Sequence, residues 1–115
     1  MTARGISPYG LIEVMEMVTR VIFRKFSEGD IIALFPRIPG TLDYGSCAAY
    51  QHIGQHSSVD CQSVITYSKP AKPEEYRDLM EELVRIGYTE LEVGKRCTYK
   101  DFQVRERQIV RMLDN

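Results

Sequence analysis

The sequence predicts an α+β fold, in which a small, mainly antiparallel sheet of four to five strands packs with two or three helices. Two runs of β-branched and aromatic residues, 17–26 and 31–35, are separated by a short turn sequence. A link this short favours antiparallel pairing of the two strands. Further along the chain, apolar residues recur at helical spacing over 74–86 and then alternate with polar ones over 89–93.

The chain of 115 residues is predicted to form a single domain over 1–115, with 1–16 as a peripheral N-terminal segment. No stretch approaches the roughly 18 apolar residues of a membrane span. The first residues lack the apolar segment of a signal peptide. Three cysteines, an odd number without paired spacing, indicate free thiols in a reducing compartment. We therefore expect a cytoplasmic protein with no membrane partner.

A net charge of −1 argues against a general binder of nucleic acid or of membrane surfaces. The charge is unevenly distributed, however. Residues 1–73 carry 7 basic and 6 acidic side chains, residues 74–92 carry 2 and 7, and residues 93–115 carry 6 and 3. Because exposed charge is the ordinary condition of a protein surface, the acidic segment is interpreted first as a face that meets solvent or pairs with the basic segment.

The N-terminal half predicts a short helix followed by two strands. A serine and a proline at its start indicate a helix over 8–16, although the alternation there also suits a strand. The strand over 17–26 leads through Gly29, which can take the positive φ of a hairpin turn, into the strand over 31–35. Pro36 cannot donate a hydrogen bond to a neighbouring strand, so the second strand is expected to end there.

Both of these strands carry apolar residues on both faces, whereas a strand with one solvent-facing side alternates more cleanly. We therefore expect both faces of the sheet to be covered, by two helices or by a second copy of the chain. The second possibility predicts a homodimer, with a two-fold interface as the commonest solution. The C-terminal helix folding back over the sheet is the monomeric alternative.

The stretch 46–56 contains both histidines of the chain. It predicts a third strand that ends at Gly54 and places Gln55 and His56 on a loop. The five residues after His56 predict an irregular segment, and 63–67 predicts a fourth, short strand.

The C-terminal half predicts a helix over 74–86, ended by Gly87, and a strand over 89–93. Thr98 and Asp101, three residues apart, indicate a capping box at the start of a last helix. The apolar stripe of the first of these helices comprises Tyr76, Leu79, Met80, Leu83 and Ile86. The apolar side of the last helix is expected to comprise Tyr99, Phe102, Ile109 and Leu113, with its arginines mainly elsewhere.

Four residues of types that bind metal lie close together in sequence, namely Cys47, His52, His56 and Cys61. On a regular strand Cys47 and His52 point to opposite faces, and His52 and His56 stand about 13 Å apart at about 3.3 Å per residue. Because zinc–nitrogen bonds are about 2.0–2.1 Å long, one ion reaches both histidines only if the chain folds back at Gly54. We predict no metal and no cofactor.

A cysteine or serine nucleophile with His56 as its base is a second possible chemistry. The chain contains no Gly-x-Ser-x-Gly elbow, no phosphate-binding loop and no dinucleotide-binding glycine pattern. No catalytic residue is therefore assigned, and a role other than catalysis is favoured.

Nucleic-acid binding would depend on Arg20, Arg24 and Lys25 along the first strand, with Tyr50 or Tyr67 as stacking platforms. The aromatic signature of the common RNA-binding sheet is missing. Basic residues on a strand also commonly serve only to discourage edge pairing. Nucleic acid is therefore a further alternative and not the favoured partner.

Three sequence motifs together carry a resemblance. They are Ile-Ile-Ala-Leu-Phe-Pro with Ile-Pro-Gly over 31–40, Tyr-x-His-x-Gly-Gln-His over 50–56, and Lys-Pro-Ala-Lys-Pro-Glu-Glu-Tyr over 69–76. Over about 18–96 the chain resembles a group of small uncharacterised bacterial, plasmid and phage proteins. The resemblance implies a small intracellular α+β domain and assigns no catalytic residue.

The resemblance and the residue pattern both favour treating Tyr50, His52, Gln55 and His56 as one site for a ligand or partner. The sequence thus predicts a small intracellular binding or interaction module whose partner is another protein or a second copy of itself. The alternative is a small enzyme or ligand-binding protein that uses the loop from His52 to His56. A pocket holding both histidines would favour the alternative, and a flat apolar patch or a shared sheet would favour the interaction module.

Overall fold

The computed structural model describes residues 18–52 and 55–114, and these contain six strands and three helices. In chain order they are β1 (Val18–Lys25), β2 (Ile31–Pro39), β3 (Ser46–Gln51), β4 (Gln55–Asp60), α1 (Cys61–Thr66), β5 (Lys69–Pro70), α2 (Pro73–Ile86), β6 (Glu90–Gly94) and α3 (Tyr99–Asp114). The predicted α+β class with a mainly antiparallel sheet is confirmed. The helix predicted over 8–16 lies outside the described residues.

The sheet has the strand order β4-β3-β2-β1-β5, and β6 pairs with β1 as well. Strands β1 to β4 form a continuous antiparallel meander, whereas β6 runs parallel to β1. The pairing aligns Phe23 with Ala33, Ala33 with Tyr50, and Tyr50 with His56. Because paired residues on neighbouring strands share a face, these four side chains form one row across one side of the sheet.

The turn between β1 and β2 is a hairpin turn with a positive φ at Gly29, as predicted. The amide of Phe26 donates to the carbonyl of Asp30 at 2.9 Å, and Gly29 has a φ of 103°. This backbone conformation is in the left-handed region that glycine adopts without a steric cost.

Strand β2 does not end at Pro36, which corrects the predicted boundary. The pairing with β3 shifts from Phe35 opposite Ala48 to Pro39 opposite Cys47, so β2 contains a bulge at this point. A proline is tolerated in a bulge because no hydrogen bond to the neighbouring strand is required of it there. The strand therefore continues to Pro39.

Helix α2 covers one face of the sheet, and its predicted position over 74–86 is confirmed to within one residue. Proline at its first position and Gly87 at its C-cap, with a φ of 126°, bound the helix as expected. The core beneath it comprises Val21, Phe23, Ala33, Phe35, Tyr50, Leu79 and Leu83. Ile86, which the predicted stripe included, is exposed.

The segment from 55 to 66 differs from its prediction. Residues 55–60 form β4, where an irregular segment was expected after His56, and Cys61–Thr66 form α1, where a strand was expected. Asp60 favours the helix over a strand, because its side chain accepts a hydrogen bond from the Ser63 amide and so caps the N-terminus of α1. Helix α1 packs over a second core on the other face of the sheet, made of Ile22, Ile32, Leu34, Cys47, Ala49 and Cys61.

Helix α3 begins with the predicted capping box. The Asp101 amide donates to Thr98 Oγ1 at 3.1 Å and the Thr98 amide donates to Asp101 Oδ2 at 2.8 Å. Its buried side is predicted only in part, however. Ile109 is buried as predicted, but Tyr99 and Leu113 are exposed, and Asp101 and Arg105 are buried as well.

Arg105 attaches α3 to the sheet on the side of α1. Its guanidinium donates to the carbonyls of Pro36 and Tyr44 at 2.7–3.1 Å, and it also contacts the Cys61 thiol. Both faces of the sheet are thus covered by helices of one chain, which is the arrangement of the monomeric alternative. None of the described helices is long and apolar enough to cross a membrane.

Candidate functional site

The structure places all four predicted site residues at the turn end of the β3–β4 hairpin. Tyr50 is buried in β3, and His52 follows the end of that strand. His56 lies on β4 opposite Tyr50, so it is on a strand and not on the predicted loop. Gln55 opens β4 and pairs with Gln51. The Tyr50 and His56 rings meet edge to face with centroids 4.6 Å apart, which is a favourable geometry for aromatic rings.

Glu82 of α2 is the central residue of this site, and the sequence interpretation missed it. Its carboxylate accepts a hydrogen bond from the Tyr50 hydroxyl and lies 2.6 Å from Nδ1 of His52. The only sequence signal was its position three residues after Leu79, on the edge of the helical stripe that faces the sheet. That position is compatible with a solvent-facing glutamate, so the pattern did not single it out.

The pairing with Glu82 defines the orientation of the His52 ring. A carboxylate only accepts hydrogen bonds, so Nδ1 of His52 donates to Glu82 and the neutral ring presents Nε2 as an acceptor. The His52 side chain is 73% exposed, whereas the Glu82 side chain is 12% exposed. The site therefore consists of a largely buried carboxylate that holds an exposed imidazole through its Nδ1 atom.

His56 has a different set of neighbours. Its Nε2 lies 3.0 Å from the Tyr88 hydroxyl, and the Tyr88 ring stacks on Phe35 with centroids 5.0 Å apart. Burial, together with the nearby Tyr50, raises the pKa of Tyr88 above its ordinary value, so this hydroxyl keeps its proton at neutral pH. The two histidines thus contact separate partners.

A cleft of about 340 Å³ opens beside His52, between the β1–β2 turn and α2. Two apolar side chains, Ile31 and Leu79, form part of its wall. Its charged lining residues are Asp30, Glu75, Asp78, Glu82 and Arg85. His56 is not among the described residues that line it. The cleft therefore combines a short apolar surface with an excess of carboxylates.

The four metal-binding residue types singled out in the sequence are divided between the two faces of the sheet. Cys47 and Cys61 lie in the core under α1, whereas His52 and His56 contact Glu82 and Tyr88 on the side of α2. Within the described ranges, no group of three or more histidine, cysteine, aspartate or glutamate residues is placed to hold a metal ion.

Treatment with a strong chelator is accordingly expected to leave the melting temperature of the purified protein unchanged. The physical reason is that the sheet lies between the two cysteines and the two histidines. Thermal melts with and without the chelator, together with elemental analysis, check this expectation. A stoichiometric zinc content would contradict it.

The cations on which nucleic-acid binding would depend are engaged within the fold. Arg20 pairs with Asp101 at 2.9 Å, and Lys25 pairs with Glu75. Arg24 donates to the carbonyls of Ile65 and Ser68 at the C-terminal end of α1. None of these three side chains therefore extends freely from the sheet toward a phosphate backbone.

Comparison with known proteins gives no further guide to the site, since no model of a protein family, no curated protein and no solved structure matches the chain. The resemblance to small bacterial, plasmid and phage proteins remains a prediction. The function is therefore argued from the geometry alone.

Proposed function

We propose that this chain is a small binding module and that its cleft beside His52 takes a basic side chain of a partner protein. The observation that carries the proposal is the combination of the largely buried Glu82 carboxylate, held between Tyr50 and His52, with an open cleft of about 340 Å³. Pockets for small molecules occupy about 300–1,000 Å³. The volume here is at the lower end, which suits one side chain better than a large ligand.

The chemistry of the lining supports a lysine or arginine as the occupant. Such side chains lay their apolar stems along apolar surface and keep the charged group near polar partners. Ile31 and Leu79 provide apolar surface for the stem of such a side chain, and the carboxylates of Asp30 and Asp78 provide negative charge for its cationic group. Within the described part of the chain, neither of these two aspartates forms an ion pair.

The unequal distribution of charge along the chain also supports a basic partner. The segment 74–92, which includes α2, carries 7 acidic and 2 basic side chains. A surface of one sign steers a partner of the opposite sign and increases its association rate. Three free cysteines, Cys47, Cys61 and Cys97, support the expected reducing compartment. Self-association is not part of the proposal, because the chain's own helices already cover both faces of the sheet.

A small enzyme or ligand-binding protein is the second candidate, and the pairing of His52 with Glu82 is the observation that favours it. A carboxylate that orients a histidine is an arrangement found in general acid–base catalysis. Two features of the site weigh against it: His56 does not line the cleft, and its ring nitrogen contacts Tyr88. The geometry therefore favours recognition over proton transfer.

Titration with short glycine–serine peptides that carry one central arginine, lysine or norleucine tests the binding proposal. Amide chemical shifts at Asp30, Asp78 and Glu82 report binding. We expect the arginine and lysine peptides to shift these amides and the norleucine peptide to leave them unchanged. We also expect the binding to weaken as salt is added, because exposed charges are screened.

Asp78→Asn is expected to weaken the binding of the basic peptides by roughly threefold to tenfold, as for one charge-assisted hydrogen bond at a partly solvated site. Glu81→Gln, an exposed change on the same helix that does not line the cleft, is the matched control and is expected to have no effect. Equal binding of the arginine and norleucine peptides would contradict the proposal. Equal losses for the two variants would place the binding outside the cleft.

A further inference from the structure

The three cysteines of the chain meet on the face of the sheet opposite the His52 cleft. Cys47 comes from β3, Cys61 is the first residue of α1, and Cys97 lies between β6 and α3. The Sγ atoms of Cys61 and Cys97 are 3.0 Å apart, and Cys47 is buried in the same core as Cys61. Two thiols in direct contact, with a third thiol in the same core, are brought together here from separate parts of the sequence.

The cluster favours a thiolate at its centre. Hydrogen bonds from the Cys47 and Cys97 thiols, together with the charge of Arg105, lower the pKa of Cys61, although burial opposes this effect. The hydrogen bonds to Cys61 and burial raise the pKa of Cys47 and of Cys97. Two neighbouring thiols and one guanidinium thus favour the thiolate form of Cys61, a surrounding that is typical of reactive cysteines.

We propose that Cys61 and Cys97 are a peroxide-reactive pair of thiols that closes to a disulfide. The Cys61 sulfur attacks one oxygen of hydrogen peroxide, and the O–O bond breaks to leave a sulfenic acid and hydroxide, which takes up a proton. The Cys97 sulfur then attacks the Cys61 sulfur, so that the S–S bond forms and the S–O bond breaks. The departing hydroxide takes the Cys97 proton. Two electrons pass from the pair to the peroxide, which becomes two molecules of water.

The geometry assigns the second step to Cys97 and not to Cys47. The sulfurs of Cys61 and Cys97 need to approach each other by only about 1 Å to reach the length of a disulfide bond. Cys97 is half-buried and Cys61 is 5% exposed, whereas Cys47 is fully buried, so Cys97 is the most accessible of the three thiols. The disulfide would connect α1 to the segment before α3, across 36 residues of sequence.

Hydrogen peroxide, added to the reduced full-length protein, is the probe. We expect the loss of two of the three free thiols, a decrease in mass by two hydrogens, and one cross-linked peptide that contains Cys61 and Cys97. Dithiothreitol is expected to reverse all three changes. The oxidised protein is expected to melt at a higher temperature than the reduced one, because the new bond restricts the unfolded chain.

Two serine variants separate the roles of the thiols. Cys97→Ser is expected to gain oxygen at Cys61 and to form no disulfide, since the second thiol is missing. Cys47→Ser keeps a hydrogen-bond donor beside Cys61 and is expected to form the disulfide as the wild type does. Retention of all three thiols by the wild type, or a cross-link that contains Cys47, would overturn the proposal. The wild-type peptide map decides the matter even if a variant fails to fold.

Discussion

Leu83→Ala is expected to lower the free energy of unfolding by roughly 2–5 kcal/mol, the range for large-to-small changes in a core. Leu83 is 0% exposed and packs in the core that α2 forms with β1, β2 and β3. The change removes buried apolar surface and leaves a cavity in a core that is close-packed and collapses only in part around it. Urea denaturation of the two proteins measures the difference.

Val84→Ala is the matched control for this prediction. Val84 is the next residue on the same helix, and its side chain is 52% exposed. Its truncation is expected to change stability by less than about 0.5 kcal/mol, as for most surface substitutions. Similar losses for the two variants would mean that α2 presents another side to the sheet.

Asp101→Asn is the second change with a large expected effect, a loss of about 3 kcal/mol of stability at neutral pH. The Asp101 side chain is 1% exposed and accepts hydrogen bonds from Arg20 and Arg37 at 2.7–3.1 Å. Removal of its charge leaves Arg37 without its counter-ion and leaves Arg20 with only the exposed Glu92, 3.8 Å away, which is costly for partly buried charges. Both guanidiniums still reach solvent in part, so the loss is placed at the lower end of the range for buried pairs.

The stability that Asp101 contributes depends on pH. Burial alone would raise the pKa of this carboxyl, but the hydrogen bonds from Arg37, the Thr98 amide and Arg20 outweigh it and hold the pKa below its ordinary value. A group whose pKa is lower in the folded state contributes its stability above the unfolded value, about 3.9 for aspartate. That contribution is lost as the pH falls through the folded value.

Urea denaturation of wild type and Asp101→Asn between pH 7 and about pH 3 checks this sign. The difference between the two proteins is expected to be largest at neutral pH and to shrink below about pH 4. Asp114→Asn, an exposed change at the end of the same helix, is the control and is expected to have little effect at any pH. A difference that stays constant down to the lowest pH would contradict the role assigned to the Asp101 charge.

The contacts of Asp101 and Arg105 explain why the buried side of α3 was predicted only in part. The apolar residues of α3 predicted one side as buried, but the helix buries Asp101 and Arg105 together with Ile109. Asp101 is stabilised by Arg20, 81 residues earlier, and Arg105 by the Pro36 carbonyl, 69 residues earlier. A polar side chain can be buried when other groups of the protein form hydrogen bonds with it. No local sequence pattern shows a hydrogen-bond partner so far away along the chain.

The segment around α1 shows a similar limit at shorter range. Val64 and Ile65 suit a strand by composition, and that propensity favoured the wrong prediction. The Asp60 cap and the packing of both residues against the core under α1 outweighed it. Six residues are too few for the period of a helix to be recognised from apolar spacing.

The sequence by itself determined the α+β class, the hairpin of β1 and β2, the position of α2 and the capping box of α3, because each depends on periodicity or on turn and cap residues a few positions apart. It also predicted that Tyr50, His52, Gln55 and His56 form one site, although the two histidines contact different partners in the structure. Only the tertiary structure decided that Glu82 joins Tyr50 to His52 and that Cys47, Cys61 and Cys97 meet on the other face. Both clusters depend on how helices and loops pack onto the sheet, since most of their contacts join residues 30 or more positions apart, which local spacing does not encode.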